Sequence, residues 1–442
     1  MKITLIEPAM IKTATFAEKP AWELQPLTLA TLAGLTPPEV EVQALDDRLE
    51  PIDYDEPRDL VGISVKTYTA RRAYEIAAEF RKRGVPTILG GHHPTLLPEE
   101  AAEHADSILL GEAEGVWDIV VRDAAQGRLK RVYRQSETQP LSGLKVDRSV
   151  FAGKRYLPVA MIETTRGCPF ACNFCSVTAF FGRGFRHRPP AEVVAEVLKL
   201  KQRLYFFVDD NIVADRNAAK ALFRALIPLK IRWISQASLT MAKDLELMRL
   251  MRDSGCMGVL VGIESISPAN LKQINKSWNT VGIGYDEALK IIREHGIAVV
   301  GSFILGMDDD TPASLDLTLE FAIRQKFFAA LFNLLTPYPA TELYADFLRA
   351  GRLTMPHWWL DPAYTYGSAV FTPRHLSKME LEQGRLRLYR RFYGPRSLMS
   401  RLWEPQANAR DIWKAFTFLS MNLPANREER LRYGQPLGAH FA

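Results

Sequence analysis

Cysteine is scarce: the 442-residue chain has four. That excludes the disulfide framework of a small secreted domain. Long apolar runs are missing too; none approaches the about 18 residues that cross a bilayer. The opening stretch, MKITLIEPAM, lacks the longer apolar segment and small-residue cleavage site of a secretory signal. A cytoplasmic protein with no transmembrane segment is expected. Nor is there an excess of one charge: 56 Lys and Arg face 51 Asp and Glu, a net +5. Basic runs such as RLRLYRR (385–391) read as solvated helix faces, and no dense basic patch marks a nucleic-acid partner. Low-complexity tracts and tandem repeats are absent.

What is present alternates. In the N-terminal third, KITLIEP (2–8), EVEVQAL (39–45), DLVGISVK (59–66), PTILGG (86–91) and SILLGE (107–112) read as strands. Between them TARRAYEIAAEFRKRG (69–84) has helical apolar spacing and ends in Gly. Buried strands alternating with helices predict a doubly wound parallel sheet of Rossmann type over 1–135, with ligands at the carboxyl ends of its strands. A polar stretch with little periodicity, 136–156, reads as a linker.

A second alternating series fills 157–345. Its six strand candidates are 159–165, 204–210, 231–238, 258–265, 298–306 and 329–337, with helices such as 190–202 and 245–255 between them. Six β/α repeats predict a partial (β/α)6 barrel whose chemistry lies at the C-terminal rim. Beyond 346 the strand pattern stops. An aromatic stretch, HWWLDPAYTYGSAVF (357–371), precedes segments that read as helices from Ser377, so 346–442 is expected to be a mainly helical domain. His357, Trp358 and Trp359 suit an interface plug better than a substrate contact. The fold class is therefore α/β in three parts.

Three of the four cysteines crowd into TTRGCPFACNFCSV (164–177), as Cys168, Cys172 and Cys175. A structural zinc site wants four ligands, and no fourth Cys or His stands at conventional spacing. Three thiolates can instead hold three irons of a [4Fe–4S] cluster and leave the fourth open to a small molecule. The motif lies just after the first barrel strand, at the predicted rim. Cys256, in DSGCMGV, reads as a free buried thiol.

RGCPFACNFC at the end of a first barrel strand resembles the radical S-adenosylmethionine (radical SAM) superfamily. The preceding stretch, DLVGISVKT…AYEIAAEFRKRGVPTILGGHHPT…PEEAAEHADSILLGEAEG, resembles its cobalamin-binding-domain subgroup, and the tail from FTPRHLSKMELEQ resembles an extra domain of members that include hopanoid methylases. The resemblance implies a [4Fe–4S] cluster on Cys168, Cys172 and Cys175 that binds and reductively cleaves SAM. It implies SAM contacts from Phe174, before the last cysteine, and from the second-strand stretch FVDDN, where Asp209, Asp210 or Asn211 replaces the family's Gly-Gly-Glu. It adds Gln236 and Ser238 after the third strand, Glu264 in GIES, and Gly301 and Gly306 in the stretch expected against adenine. Cobalamin, if bound, would meet Lys66, Thr67, Tyr68, Gly90, Gly91, His92 and Gly111. The Asp-x-His-x-x-Gly motif that places a histidine on cobalt does not occur, although His92 and His93 stand in GGHHPT.

Two enzymatic readings follow. One is cobalamin-dependent methyl transfer to an unactivated carbon or phosphorus of a small-molecule or natural-product substrate. The other is a radical SAM enzyme without cobalamin, performing cyclisation, rearrangement or 3-amino-3-carboxypropyl transfer. Either needs an electron donor, a reductase or a flavodoxin or ferredoxin. A non-catalytic iron–sulfur or cobalamin-sensing protein fits less well, because pure electron carriers keep all four ligands.

Overall fold

A computed structural model describes residues 1–11, 23–135 and 137–438. Residues 136 and 439–442, which belong to the expected linker and C-terminal domain, lie outside the described residues. The chain forms two compact units.

The first unit comprises Met1–Val159, His357–Thr365 and the residues from Gln435 onward. Its six-stranded sheet holds β1 (Lys2–Glu7), β2 (Glu41–Asp46), β3 (Leu60–Ser64), β4 (Thr87–Gly90), β5 (Ser107–Leu110) and β6 (Val132–Arg134), in the order β2-β1-β3-β4-β5-β6. Every neighbouring pair is parallel. The central strands are apolar on both faces because helices cover both, which is why they read as continuous hydrophobic runs. The helix Ala70–Lys82 buries Ala73, Ile76, Ala77 and Phe80 and exposes its polar side. Strand order reverses between β1 and β3, so the crevice of this doubly wound sheet lies at their carboxyl ends. The stretch 137–156 packs on this unit: Phe151 is buried in its core, and Asp147 N donates to Ala30 O at 2.9 Å.

The second unit comprises Ala160–Pro356 and Tyr366–Gly434. Its open sheet holds β7 (Ala160–Ile162), β10 (Leu204–Phe207), β11 (Arg232–Gln236), β12 (Cys256–Glu264), β13 (Ala298–Leu305) and β14 (Ala329–Leu334) in sequential, all-parallel order. These are the six expected strands. A small antiparallel ribbon of β8 (Thr165–Gly167) and β9 (Phe185–His187) has no counterpart in the sequence reading. Strands alternate with helices such as Pro190–Leu200 and Leu245–Asp253; Asp244 caps the latter by accepting from Leu247 N at 3.0 Å. On β12, Val259, Val261 and Ile263 are fully buried. Each such side chain contributes about 1.5–3 kcal/mol, and together they fix the strand that carries Glu264.

The C-terminal helices Lys378–Phe392, Pro395–Leu402 and Ile412–Arg432 belong to this second unit. Ser377 opens the first with a capping box to Glu380. Leu381, Leu388, Tyr389 and Phe392 join the same buried cluster as β13 and β14.

Candidate active site

The three cysteines lie on the loop from β8 to the helix Ser176–Phe181. Gly167, the last residue of β8, has φ +87, and a Cβ there would fall 2.2 Å from Gly184 O. Only glycine permits the ribbon to close this tightly and turn the chain into the loop. At the other end Cys175 is the residue that precedes the helix, and its N–H donates to Cys172 O at 3.1 Å.

The loop walls a cavity of about 240 Å³. All three cysteines line it, together with side chains from the carboxyl ends of the sheet strands. Among the described lining residues there is no histidine and no fourth cysteine. No group of three or more His, Cys, Asp or Glu among the described residues is arranged around a single ion. Three cysteines on one loop, all lining one cavity, fit a cluster that gives each thiolate its own iron. Burial pushes the Cys172 thiol up to about 11, while the Lys276 ammonium draws it down.

The polar wall is built from strand ends. Asp210 accepts from Gly167 N at 3.1 Å, so the strand-end acid braces the turn into the cysteine loop. Asn211 accepts from Ser238 N at 3.1 Å and faces Ser238 Oγ at 3.3 Å. Phe174, Asp210, Asn211, Gln236, Ser238 and Glu264 all line the cavity. Asp209 does not. It is fully buried and accepts from Thr164 N, Thr165 N and Thr164 Oγ1 at 2.5–2.7 Å. Burial raises its pKa to about 7 against those hydrogen bonds. It clamps the end of β7 to the end of β10, the cap-like role open to this trio.

Glu264 sits at a register shift in the β12–β13 pairing with φ +61, unusual for a residue with a side chain. The strained turn aims its carboxylate into the cavity, where Lys276 Nζ lies 2.7 Å from Oε1. Gly262 makes room: a Cβ there would come 2.2 Å from Glu264 Oε1 and 2.6 Å from Lys276 Nζ. Both members of the pair are buried. Lys276 escaped the sequence reading, as did Trp278, whose ring stacks on Phe170 at 3.6 Å between centroids. Trp278 Nε1 and Asn173 Oδ1 are buried without a hydrogen-bond partner. A buried donor left open on a cavity wall suits a polar ligand.

Gly301 and Gly306 do not line the cavity. A Cβ at Gly301 would meet Phe303 and Phe327, and one at Gly306 would meet Leu381 at 2.7 Å, so both glycines serve close packing. Cys256 is buried in the core, its thiol pushed up by burial.

In the first unit the expected residues gather at the carboxyl edge of the sheet. Lys66, after β3, pairs with Glu7 at the end of β1, across the point where strand order reverses. Thr67 is buried and faces His93 Nδ1 at 3.4 Å; the Tyr68 ring packs on Trp358 at 4.8 Å. Gly90 ends β4, and Gly91 and Gly111 follow β4 and β5 with φ +101 and +85. Such turns let backbone approach a large ligand, and in this respect the edge fits a corrin. His93 is fully buried with Nε2 held by Glu100 at 3.0 Å. His92 stays neutral down to about 4, because burial and the nearby Lys66 charge disfavour its cation. Trp358 and Trp359 are buried in this unit, Trp359 donating to both Glu100 oxygens at 3.0–3.1 Å.

The pattern of the radical SAM superfamily matches residues 162–322, and that of the B12 binding domain matches residues 23–121. A bacteriochlorophyllide d C-12(1)-methyltransferase from Chlorobaculum tepidum is 30% identical over 411 residues, 90% of this chain and 88% of that protein. This chain belongs to the radical SAM superfamily, in the branch with a B12 binding domain. The C-8(2)-methyltransferase of the same organism is 32% identical over 75% of this chain and 78% of that protein. The radical SAM methyltransferase TsrM from Kitasatospora setae has the same fold, with TM-score 0.61 at 19% identity over 79% of this chain and 75% of that one. The chain is a radical SAM enzyme whose cofactors are a [4Fe–4S] cluster, SAM and cobalamin, and it groups with methyltransferases. The reading without cobalamin is not favoured. Among the described residues no helix is long and apolar enough to cross a membrane.

Proposed function

We propose that this radical SAM enzyme methylates an unactivated carbon of a tetrapyrrole-type small molecule. The observation that carries the substrate class is the two relatives named for bacteriochlorophyllide d, which this chain matches over 88% and 78% of their lengths. In this reading Cys168, Cys172 and Cys175 hold three irons and leave the fourth for SAM. Bound there, the cluster and SAM would supply radical chemistry for removing a substrate hydrogen, and cobalamin would supply the methyl group.

The chain's own residues bind, orient and exclude water. Glu264, fixed by Lys276, accepts from the ammonium or ribose hydroxyls of SAM. Asp210, Gln236 and Ser238 form the rest of the polar wall, and Phe174 with the Phe170–Trp278 stack forms the apolar one. Lys66, Thr67, Tyr68, Gly90, Gly91, His92 and Gly111 face the corrin. The electron comes from a flavodoxin, a ferredoxin or a reductase, in the cytoplasm.

The test is anaerobic turnover of the reconstituted enzyme with bacteriochlorophyllide d and SAM labelled in its methyl group. The expected outcome is a labelled methyl on carbon, with 5′-deoxyadenosine and S-adenosylhomocysteine formed in equal amounts. SAM cleavage without S-adenosylhomocysteine would defeat methyl transfer. Formation of both products with an unrelated substrate alone would defeat the tetrapyrrole assignment.

A further inference from the structure

The last helix, Ile412–Arg432, carries an apolar stripe that is exposed among the described residues. Ile412 is 80% exposed, Trp413 66%, Phe416 65% and Leu423 65%. Just before the helix, Trp403 is 85% exposed, and Met399 on the preceding helix is 63% exposed. Large apolar side chains so exposed along one helix and its approach mark a contact surface.

The stripe is continued by positive charge. Ile412, Phe416, Leu423, Arg427 and Arg430 recur at helical spacing, so the apolar side turns basic along a single line. No Asp or Glu interrupts it: Glu429 is buried and paired with Arg385, and Glu428 falls on another side at this spacing. Beside the stripe, the helices Lys378–Phe392 and Ile412–Arg432 enclose a cleft of about 480 Å³ lined by Gln383, Arg387, Arg390, Asn426 and Arg430, with Glu429, whose carboxylate Arg385 neutralises, also on its wall. Arg390, Arg427 and Arg430 make no ion pair among the described residues, and Arg387 has only a long one to Asp316, at 3.6 Å.

We propose that these helices form a docking surface for an anionic phospholipid bilayer. Trp403 and Trp413 enter the headgroup boundary, where an apolar ring with a polar edge is best placed, and Phe416 and Ile412 reach into the acyl boundary below it. The arginines of the stripe meet the negative surface, and the cleft takes a headgroup phosphate between Arg390 and Arg430. The charge complementarity is what selects a bilayer of anionic lipid over a neutral one. On the last helix Ile412 and Trp413, then Phe416, then Leu423 stand at intervals of one to two turns, which suits insertion between lipids. The enzyme lies on the membrane and does not span it.

The test uses the full-length, cluster-loaded protein and flotation with vesicles of phosphatidylcholine, or of phosphatidylcholine and phosphatidylglycerol in equal parts. Binding is expected to the anionic vesicles, weakened by salt, with a blue shift of tryptophan fluorescence. A triple variant Trp403→Ser, Trp413→Ser, Phe416→Ser and a second, Arg390→Glu, Arg427→Glu, Arg430→Glu, should each lower binding by about tenfold or more. Iron content and far-UV circular dichroism, measured on each, separate lost docking from lost folding. Three results would overturn the proposal: no binding to anionic vesicles, equal binding to neutral ones, or a solution dimer dissolved by the triple aromatic variant in protein that ignores vesicles.

Discussion

Glu264 and Lys276 form a buried ion pair, Nζ to Oε1 2.7 Å, on the wall of the cavity that the three cysteines line. Removing one member leaves the other charge buried and unpaired, at a cost of about 3–5 kcal/mol. Lys276→Met should therefore lower stability by about that amount in a denaturant titration. The double variant with Glu264→Gln should recover part of the loss, because no lone charge remains. Glu264→Gln alone should weaken SAM binding by about 10- to 100-fold, the loss of one charge-assisted hydrogen bond. Asp210→Ala should weaken it similarly. Unchanged SAM affinity by calorimetry would return either residue to a purely structural role.

The cysteine loop makes a second prediction. Cys168→Ala, Cys172→Ala and Cys175→Ala should each lose the intact [4Fe–4S] cluster and SAM cleavage, whereas Cys256→Ala, changed in the core, should keep both. Gly167→Ala tests the turn that presents the loop. Its Cβ would sit 2.2 Å from Gly184 O at a positive φ. This variant should fail to hold four irons per chain by iron and sulfide assay, with secondary structure unchanged by circular dichroism. Full iron content in any of the three cysteine variants would refute the ligand assignment.

Much of this site was legible in the sequence, and the physical reasons divide it cleanly. The cysteines are near neighbours in the chain, so their spacing alone shows that they act together. Strand ends were legible because the apolar runs that feed the parallel sheet stop where the rim begins; that placed Asp210, Gln236, Ser238 and Glu264. Lys276 and Trp278 were not legible. They follow the short helix Pro268–Gln273, Lys276 just before and Trp278 within a single 3-10 turn, Ser277–Asn279, and only the fold brings them back to the rim. Gly301 and Gly306 were read as room for a ligand, but the structure fills that room with Phe303, Phe327, Phe371 and Leu381. The ribbon of β8 and β9 escaped because three-residue strands are too short to show alternation. The return of His357–Thr365 to the first unit is a contact of high sequence separation, for which composition carries no signal.

His92 gives a pH prediction. An exposed histidine protonates near 6.5; burial and the Lys66 charge hold His92 neutral in the folded chain down to about 4. Between those values the unfolded chain binds the extra proton, so stability falls as pH drops from 6.5 towards 4 and levels below it. The full effect is on the order of 3 kcal/mol, since one pKa unit is 1.36 kcal/mol. Urea midpoints at pH 7 and pH 4.5 should differ less in His92→Gln than in the parent chain. An identical pH dependence in both would show that the imidazole titrates as freely folded as unfolded.

His93 decides the last prediction. Its ring is fully buried, with Nε2 on Glu100 at 3.0 Å, Nδ1 facing Thr67 at 3.4 Å, and the Trp359 ring edge-on at 5.8 Å. Freeing it for cobalt would break the Glu100 contact and open a buried aromatic cluster. The neighbouring His92 stands in GGHHPT and not in the Asp-x-His-x-x-Gly motif that places a histidine on cobalt. Cobalamin bound to this chain is therefore expected base-off and without a histidine on cobalt, a state suited to methyl transfer because it disfavours the redox form that holds the methyl group tightly. Stoichiometric binding is expected in an absorption titration with hydroxocobalamin. Electron paramagnetic resonance of the cob(II)alamin form should lack the three-line superhyperfine splitting of an axial nitrogen. His93→Phe should leave that spectrum unchanged while lowering stability by about 1–3 kcal/mol, the cost of leaving the partnered groups around Glu100 unsatisfied. A three-line splitting that disappears in His92→Gln or His93→Phe would assign that imidazole to cobalt. No binding at all, in protein that still cleaves SAM, would instead remove cobalamin from the reaction.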